Sequence, residues 1–222
     1  MRRFADRAEA GRLLAEALQH YRAERPLVLA LPRGGVPVAL EVARALDAPL
    51  EVLVVRKIGA PGHAEFAIGA IAAGVTMLHD DVIDQLGISR AQVARTIQEE
   101  MLELERRNSL YRGKRPAASV AGRTVIIVDD GLATGATATA AVRAIERQNP
   151  GRVIFATPVG AAESVAALRT EADVVCLEIP SDFRAVSLWY EDFSPTTDAE
   201  VLECLARAEK SATSPPPREA GR

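Results

Sequence analysis

Cysteine is nearly missing from this chain. Cys176 and Cys204 are the only two in 222 residues, and their spacing fits no metal site. Both have apolar neighbours, so they read as buried, reduced thiols. Aromatic residues are scarce at 4%, with a single tryptophan, Trp189. Positive charge is not in excess: the net charge is −3 and the isoelectric point is near 5.7, so no global basic field points to nucleic acid. No apolar run reaches the length of a membrane span, and the opening residues read as no secretory signal. The expectation is therefore a soluble cytoplasmic protein. What is present is a hydrophobic content of 48%, enough to fill the core of one large α/β domain or two small ones.

One stretch organises the rest. Residues 124–141 read TVIIVDDGLATGATATAA. The first five are uncharged and β-branched, which suits a strand buried on both faces. Asp129 and Asp130 follow at once, then Gly131, Leu132, Ala133, Thr134, Gly135, Ala136 and Thr137, and from Thr137 an alanine-rich helical run. A helix N-terminus offers unpaired N–H groups and the positive end of a dipole, which suits a phosphate. Glycines let the backbone approach the anion, and threonine hydroxyls add donors. Two carboxylates beside such a cradle would repel the phosphate. They make sense facing a sugar diol or a magnesium ion.

The same grammar appears earlier. Residues 27–31 form an apolar strand, and Pro32-Arg33-Gly34-Gly35-Val36-Pro37 leads into a helix over 38–46. Arg33 and the amides of Gly34 and Gly35 could cradle a second anion, or the glycines could serve a tight turn. Residues 50–55 are a third buried strand. Beyond it lies a Gly- and Pro-rich segment, 56–66, that opens with Arg56 and Lys57 and contains His63 and Glu65. Lids and functional loops often have that composition.

The remaining chain alternates helices and strands. An amphipathic helix covers 5–23, a hairpin or arm spans 67–78, and a short helical piece starts at Asp80. Ser89 and Gln92 form a capping box for a long helix to about Leu110, whose charge run is a wet face. A basic linker follows at 111–116. Strands at 153–157 and 174–177 flank a helix at 161–170. The pattern predicts a mostly parallel sheet with right-handed crossovers and a ligand at the carboxyl ends of the strands. Residues 178–195 hold Phe183, Trp189, Tyr190 and Phe193, a stacking surface or, for the last two, a small satellite core. Thr197 or Asp198 caps a last helix to about Ala208, and 211–222 read as a disordered tail.

The order of strand, acid pair, Gly/Thr loop and helix over 124–141 resembles the signature of the type I phosphoribosyltransferases, which bind 5-phosphoribosyl 1-diphosphate (PRPP). The resemblance extends from about Leu27 to Phe193. It implies an α/β fold with a mostly parallel central sheet flanked by helices and a small hood, all within one domain over residues 1–210. It implies transfer of the phosphoribosyl group to a nitrogen acceptor, such as a nucleobase or related heterocycle, with release of pyrophosphate. It places Asp129 and Asp130 near the ribose hydroxyls and, indirectly or weakly, magnesium. It gives the 5-phosphate to residues 131–137 and pyrophosphate to Arg33, Gly34 and Gly35. Arg56 and Lys57 would neutralise the leaving group from a closing loop, and Phe183 or Trp189 would stack on the acceptor. Related proteins usually dimerise, which makes a homodimer the expectation.

One position departs from the purine-salvage pattern. Where those enzymes carry an aspartate in the phosphate loop as a proposed acid/base, this chain has Ala133. Orotate-type members also lack that aspartate, so the enzyme class stands. Asp182, Glu65 and His63 are the replacements on offer. A regulator or sensor that binds PRPP or a nucleotide without transfer remains the second reading.

Overall fold

The computed structural model describes residues 3–113 and 116–213, with the backbone alone at 63–65 and 211–213. The chain opens with α1 (Arg7–Leu18), started by the Asp6 carboxylate accepting the Glu9 N–H, and a 3-10 turn at Gln19–Glu24. It continues through β1 (Leu27–Ala30), α2 (Gly35–Leu46), β2 (Leu50–Val52), β3 (Val55–Ala60), β4 (His63–Ala72), β5 (Val75–Leu78), α3 (Asp80–Gln85) and α4 (Arg90–Arg112). The second half is β6 (Thr124–Val128), α5 (Ala136–Glu146), β7 (Arg152–Val159), α6 (Ala162–Leu168), β8 (Asp173–Glu178) and α7 (Asp198–Thr213).

Five strands form a parallel sheet in the order β2-β1-β6-β7-β8. Its inner strands are apolar on both faces. Val28, Ala30, Ile126 and Val128 join one core cluster, while Leu27, Leu29, Val125 and Ile127 join the other. A strand pattern without polar alternation is what a sheet covered on both sides requires. α2 is nearly apolar all round because it lies between β1, α1 and α7. Gly11 permits its close approach to α1, since a Cβ there would lie 2.6 Å from the Val38 carbonyl oxygen.

The second sheet is small and antiparallel, β3-β4-β5, and packs against α4 and α5. This corrects the expectation of a loop after residue 55. β2 stops at Val52, and Arg56 and Lys57 lie inside β3 rather than in an open loop. Gly59 sits where the β3–β4 register shifts, so glycine here serves a bulge and not a lid. Two smaller corrections concern helices. α4 runs through Tyr111 and Arg112, so the linker is shorter than expected, and α7 continues to Thr213. Lys114, Arg115 and the tail beyond residue 213 lie outside the described residues.

β1 and β6 are neighbours, and the chain departs from them in opposite directions along the sheet, to β2 and to β7. Ligands of open α/β sheets lie in the crevice at such a reversal, outside the strand carboxyl ends. Both glycine loops start there, because Ala30 pairs with Val128 in register and the Leu31 N–H donates to the Val128 carbonyl at 2.9 Å.

Candidate active site

The loop after β1 is folded against the acid pair. A Cβ on Gly34 would lie 1.9 Å from Asp130 Oδ2, and one on Gly35 would lie 2.7 Å from the Val128 carbonyl and 2.9 Å from Asp129 Cα. A side chain at Gly35 would strike backbone, and one at Gly34 would have to displace the Asp130 carboxylate. The Pro32–Arg33 peptide is cis. Arg33 itself is half-exposed, with Nη1 4.0 Å from Asp198 Oδ1 at the start of α7. That carboxylate also accepts the Tyr111 hydroxyl at 2.5 Å.

After β6 the Asp129 side chain folds back, and its Oδ1 accepts the Asp130 N–H at 2.9 Å. Removal from water, then the adjacent Asp130 charge, push the Asp129 carboxyl well above the usual carboxylate range. Residues 131–137 then wrap round to α5. Gly135 is its N-cap in the left-handed region, φ 78°, and no side chain caps the helix. Ala133, Thr134, Ala136 and Thr137 are all exposed around that uncapped terminus. The arrangement leaves backbone donors and hydroxyls facing outward, as an anion needs.

A hood closes the other side. Residues 4–5 run beside 189–192: the Phe4 N–H donates to the Trp189 carbonyl, Glu191 N–H to Phe4, and Asp192 N–H to Ala5. From this seam the Tyr190 hydroxyl donates to the Asp130 carbonyl at 2.6 Å. Arg7, the first residue of α1, donates from Nε to Asp130 Oδ2 at 2.8 Å and from Nη1 to the Ser194 carbonyl at 2.8 Å. Its guanidinium lies 4.0 Å from the centre of the Phe193 ring. Gly131 meets the hood too, since a Cβ there would lie 2.3 Å from a Val186 methyl.

A family signature described as phosphoribosyl transferase domain matches residues 5–192, from the hood seam through both loops. This chain belongs to that family. Two curated proteins of Mycobacterium tuberculosis, from strains CDC 1551 / Oshkosh and H37Rv, are each 44% identical over 212 residues, and their names assign them provisionally to the phosphoribosyl transferases. The match takes in 95% of this chain but only 48% of each relative, so the chain spans about half the length of the curated relatives it matches. The crystal structure of TT1426 from Thermus thermophilus superposes with a TM-score of 0.82 at 44% identity, over 93% of this chain and 99% of that one.

Within this phosphoribosyl transferase domain, the arm cations are divided. Arg56 is held by Glu100 of α4, with Nη2 2.6 Å and Nε 2.7 Å from Oε2. Lys57, the next residue of β3, lines a cleft of about 270 Å³ between the arm and α5, together with His79, Thr134, Gly135, Ala136 and Thr137. Lys57 thus borders the loop expected to hold the 5-phosphate, while Arg56 faces away into an ion pair. The side chains of His63 and Glu65 lie outside the described residues.

The stacking expectation needs correction at Trp189. That ring is 8% exposed and packs with Phe4, Ala10, Val159 and Tyr190 in the hood's own core. A side chain covered by its neighbours cannot present a face to a ligand. Phe183 is half-buried against the same cluster, and Asp182 beside it is exposed. Two contacts with Asp130 could not be read from the sequence, that of Arg7 and that of the Tyr190 hydroxyl, a residue expected only as a stacking or satellite-core ring. Arg7 reads there as one more charge in an amphipathic helix, and only its contact across 123 positions gives it away.

Proposed function

We propose that this domain transfers the 5-phosphoribosyl group of PRPP to a nitrogen acceptor, a nucleobase or related heterocycle, and releases pyrophosphate. The observation that supports this most directly is the contact between the loops. A glycine turn bearing Arg33 touches an acid pair, and the acid pair continues into an uncapped helix terminus. One extended ligand with a phosphate at one end, a diol in the middle and a diphosphate at the other suits that sequence of surfaces.

In this reading the bond from C1 to the pyrophosphate oxygen breaks and the electron pair leaves on that oxygen, while the acceptor nitrogen bonds to C1 and its proton passes to the departing diphosphate or to solvent. Residues 131–137 hold the 5-phosphate and so orient the ribose. Asp129 receives the ribose hydroxyls and lies near the charge that develops on the ring. Arg33, Gly34 and Gly35 take the leaving diphosphate. Lys57 supplies positive charge from the arm, and Arg56 reaches the ligand only by leaving Glu100. Phe183 remains as the stacking residue for the acceptor. No group of three or more metal-ligating side chains occurs among the described residues. Magnesium would be held by Asp129, since this ion takes only one or two carboxylates from a protein. Bound so, it would neutralise charge on the departing diphosphate.

The test is calorimetric titration with PRPP, with and without magnesium, followed by pyrophosphate release against a panel of bases. Binding with release supports the transferase. Binding without release for any base moves the domain to a PRPP sensor, and absence of binding removes both. In Asp129→Asn/Asp130→Asn, transfer is lost and the circular dichroism spectrum is unchanged. Unaltered turnover in that variant overturns the site.

A further inference from the structure

A phosphoribosyl transferase site asks an anion to bind beside two carboxylates. Asp130 Oδ2 is in contact distance of the Gly34 position, in the turn expected to hold a diphosphate. Left bare, that carboxylate would oppose the ligand. We propose that Arg7 is the residue that resolves this conflict: its guanidinium neutralises Asp130 against the Gly34 turn, so the turn can accept a diphosphate, and Asp129 alone is left to meet the ribose. The inference rests on the functional reading above.

The geometry is specific. Arg7 Nε lies 2.8 Å from Asp130 Oδ2 and 3.2 Å from where a Gly34 Cβ would be, so cation, carboxylate and turn meet at one point. The Arg7 and Asp130 side chains are only 11% and 15% exposed, so water does little to screen them. Arg7 cannot drift away, because Ser194 and the Phe193 ring hold the other side of its guanidinium. The planar guanidinium also offers several donors in a fixed fork, so Arg7 can meet Asp130 and Ser194 at once, which a lysine's single ammonium would do less well. Asp130, for its part, is fixed from behind by the Tyr190 hydroxyl on its carbonyl. Arg7 therefore acts through Asp130 as a positioning residue and does not itself touch the reacting atoms.

The experiment is a double-mutant cycle read by calorimetry with inorganic pyrophosphate and, separately, with ribose 5-phosphate as probes. Arg7→Ala weakens pyrophosphate binding on the order of 30-fold, the scale for unpairing a desolvated charge. Ribose 5-phosphate, which lacks the diphosphate, loses much less. The combination Arg7→Ala/Asp130→Asn recovers pyrophosphate affinity to within about threefold of the wild type, because the charge that needed balancing is gone. A purely structural Arg7, holding the hood in place, gives a double variant as weak as Arg7→Ala, and that result overturns the proposal. Should Arg7→Ala not fold, Asp130→Asn alone decides: pyrophosphate binds at least as tightly as to the wild type, and a tenfold loss overturns the inference. Wild-type protein that takes up neither PRPP nor pyrophosphate overturns the functional reading as well. Binding of both by the wild type without recovery in the double variant overturns Arg7's role alone.

Discussion

The two strand-to-helix loops share a grammar, but the glycines of the first and Gly135 at the end of the second are required for different reasons. After β1, Gly34 and Gly35 are required by what stands opposite: carboxylate and backbone atoms of the acid pair occupy the space of a side chain. After β6, Gly135 has no neighbour closer than 3.5 Å to a Cβ, yet its φ of 78° is one that other residues avoid. Gly34 and Gly35, and Gly131 at the start of the second loop, are limited by volume, whereas Gly135 is limited by backbone conformation. Identical substitutions in the two loops should therefore fail by different routes.

Removing a charge from the acid pair should have the largest effect. Asp129→Asn lowers turnover on the order of 1000-fold, the scale for losing one group that stabilises developing charge. The same change removes a carboxyl whose ionisation burial and the Asp130 charge disfavour, so above its folded pKa the variant escapes that cost. Melting therefore rises, by about 2–4 °C for each 1 kcal/mol recovered. A raised carboxyl pKa contributes stability at low pH that fades as pH climbs through the folded value, so the gain over wild type is absent in acid and grows as pH rises through that value. A melting difference that does not grow with rising pH refutes that sign.

Gly34→Ala comes next. The added methyl displaces the Asp130 carboxylate, destabilising the fold by about 1–3 kcal/mol as overpacking does, and PRPP binding by calorimetry is lost. Gly135→Ala costs about 1 kcal/mol in chemical denaturation, the strain of a left-handed backbone, with PRPP affinity falling only a few-fold. If the two alanine variants behave alike, the distinction between the loops is wrong. Smallest is Glu100→Ala. The Arg56–Glu100 pair joins the arm to α4 and is only about a quarter exposed, so its loss costs on the order of 1 kcal/mol and denaturation moves little while Arg56 loses its partner. Any change in pyrophosphate release by this variant reports on Arg56 directly.

The parallel sheet was legible because its signal is local. Five uncharged residues before Asp129, and the apolar run before Pro32, determine strand, burial and loop start within a few positions. The acid pair and both glycine loops followed from the same short-range order. The arm was obscured because Gly59, Pro61 and Gly62 look like loop composition, whereas the structure uses them for a bulge and a tight turn between long strands. Trp189 misled because scarcity made it conspicuous. Its cover comes from Phe4 and Val159, which no local window brings near it. Arg7 was invisible for the same reason, its partner being fixed by tertiary packing alone.

The seam between residues 4–5 and 189–192 has a consequence for how the domain is made. A ribosome delivers α1 early, but the strand of chain that holds it over Asp130 emerges about 180 residues later. At ordinary synthesis rates of roughly 5–20 residues per second, Arg7 waits on the order of ten to thirty seconds for Tyr190, and the acid pair about a third as long. Truncation before Trp189 leaves both glycine loops in the polypeptide but deprives the site of its hood, so a nascent or shortened domain should neither retain PRPP nor react it prematurely.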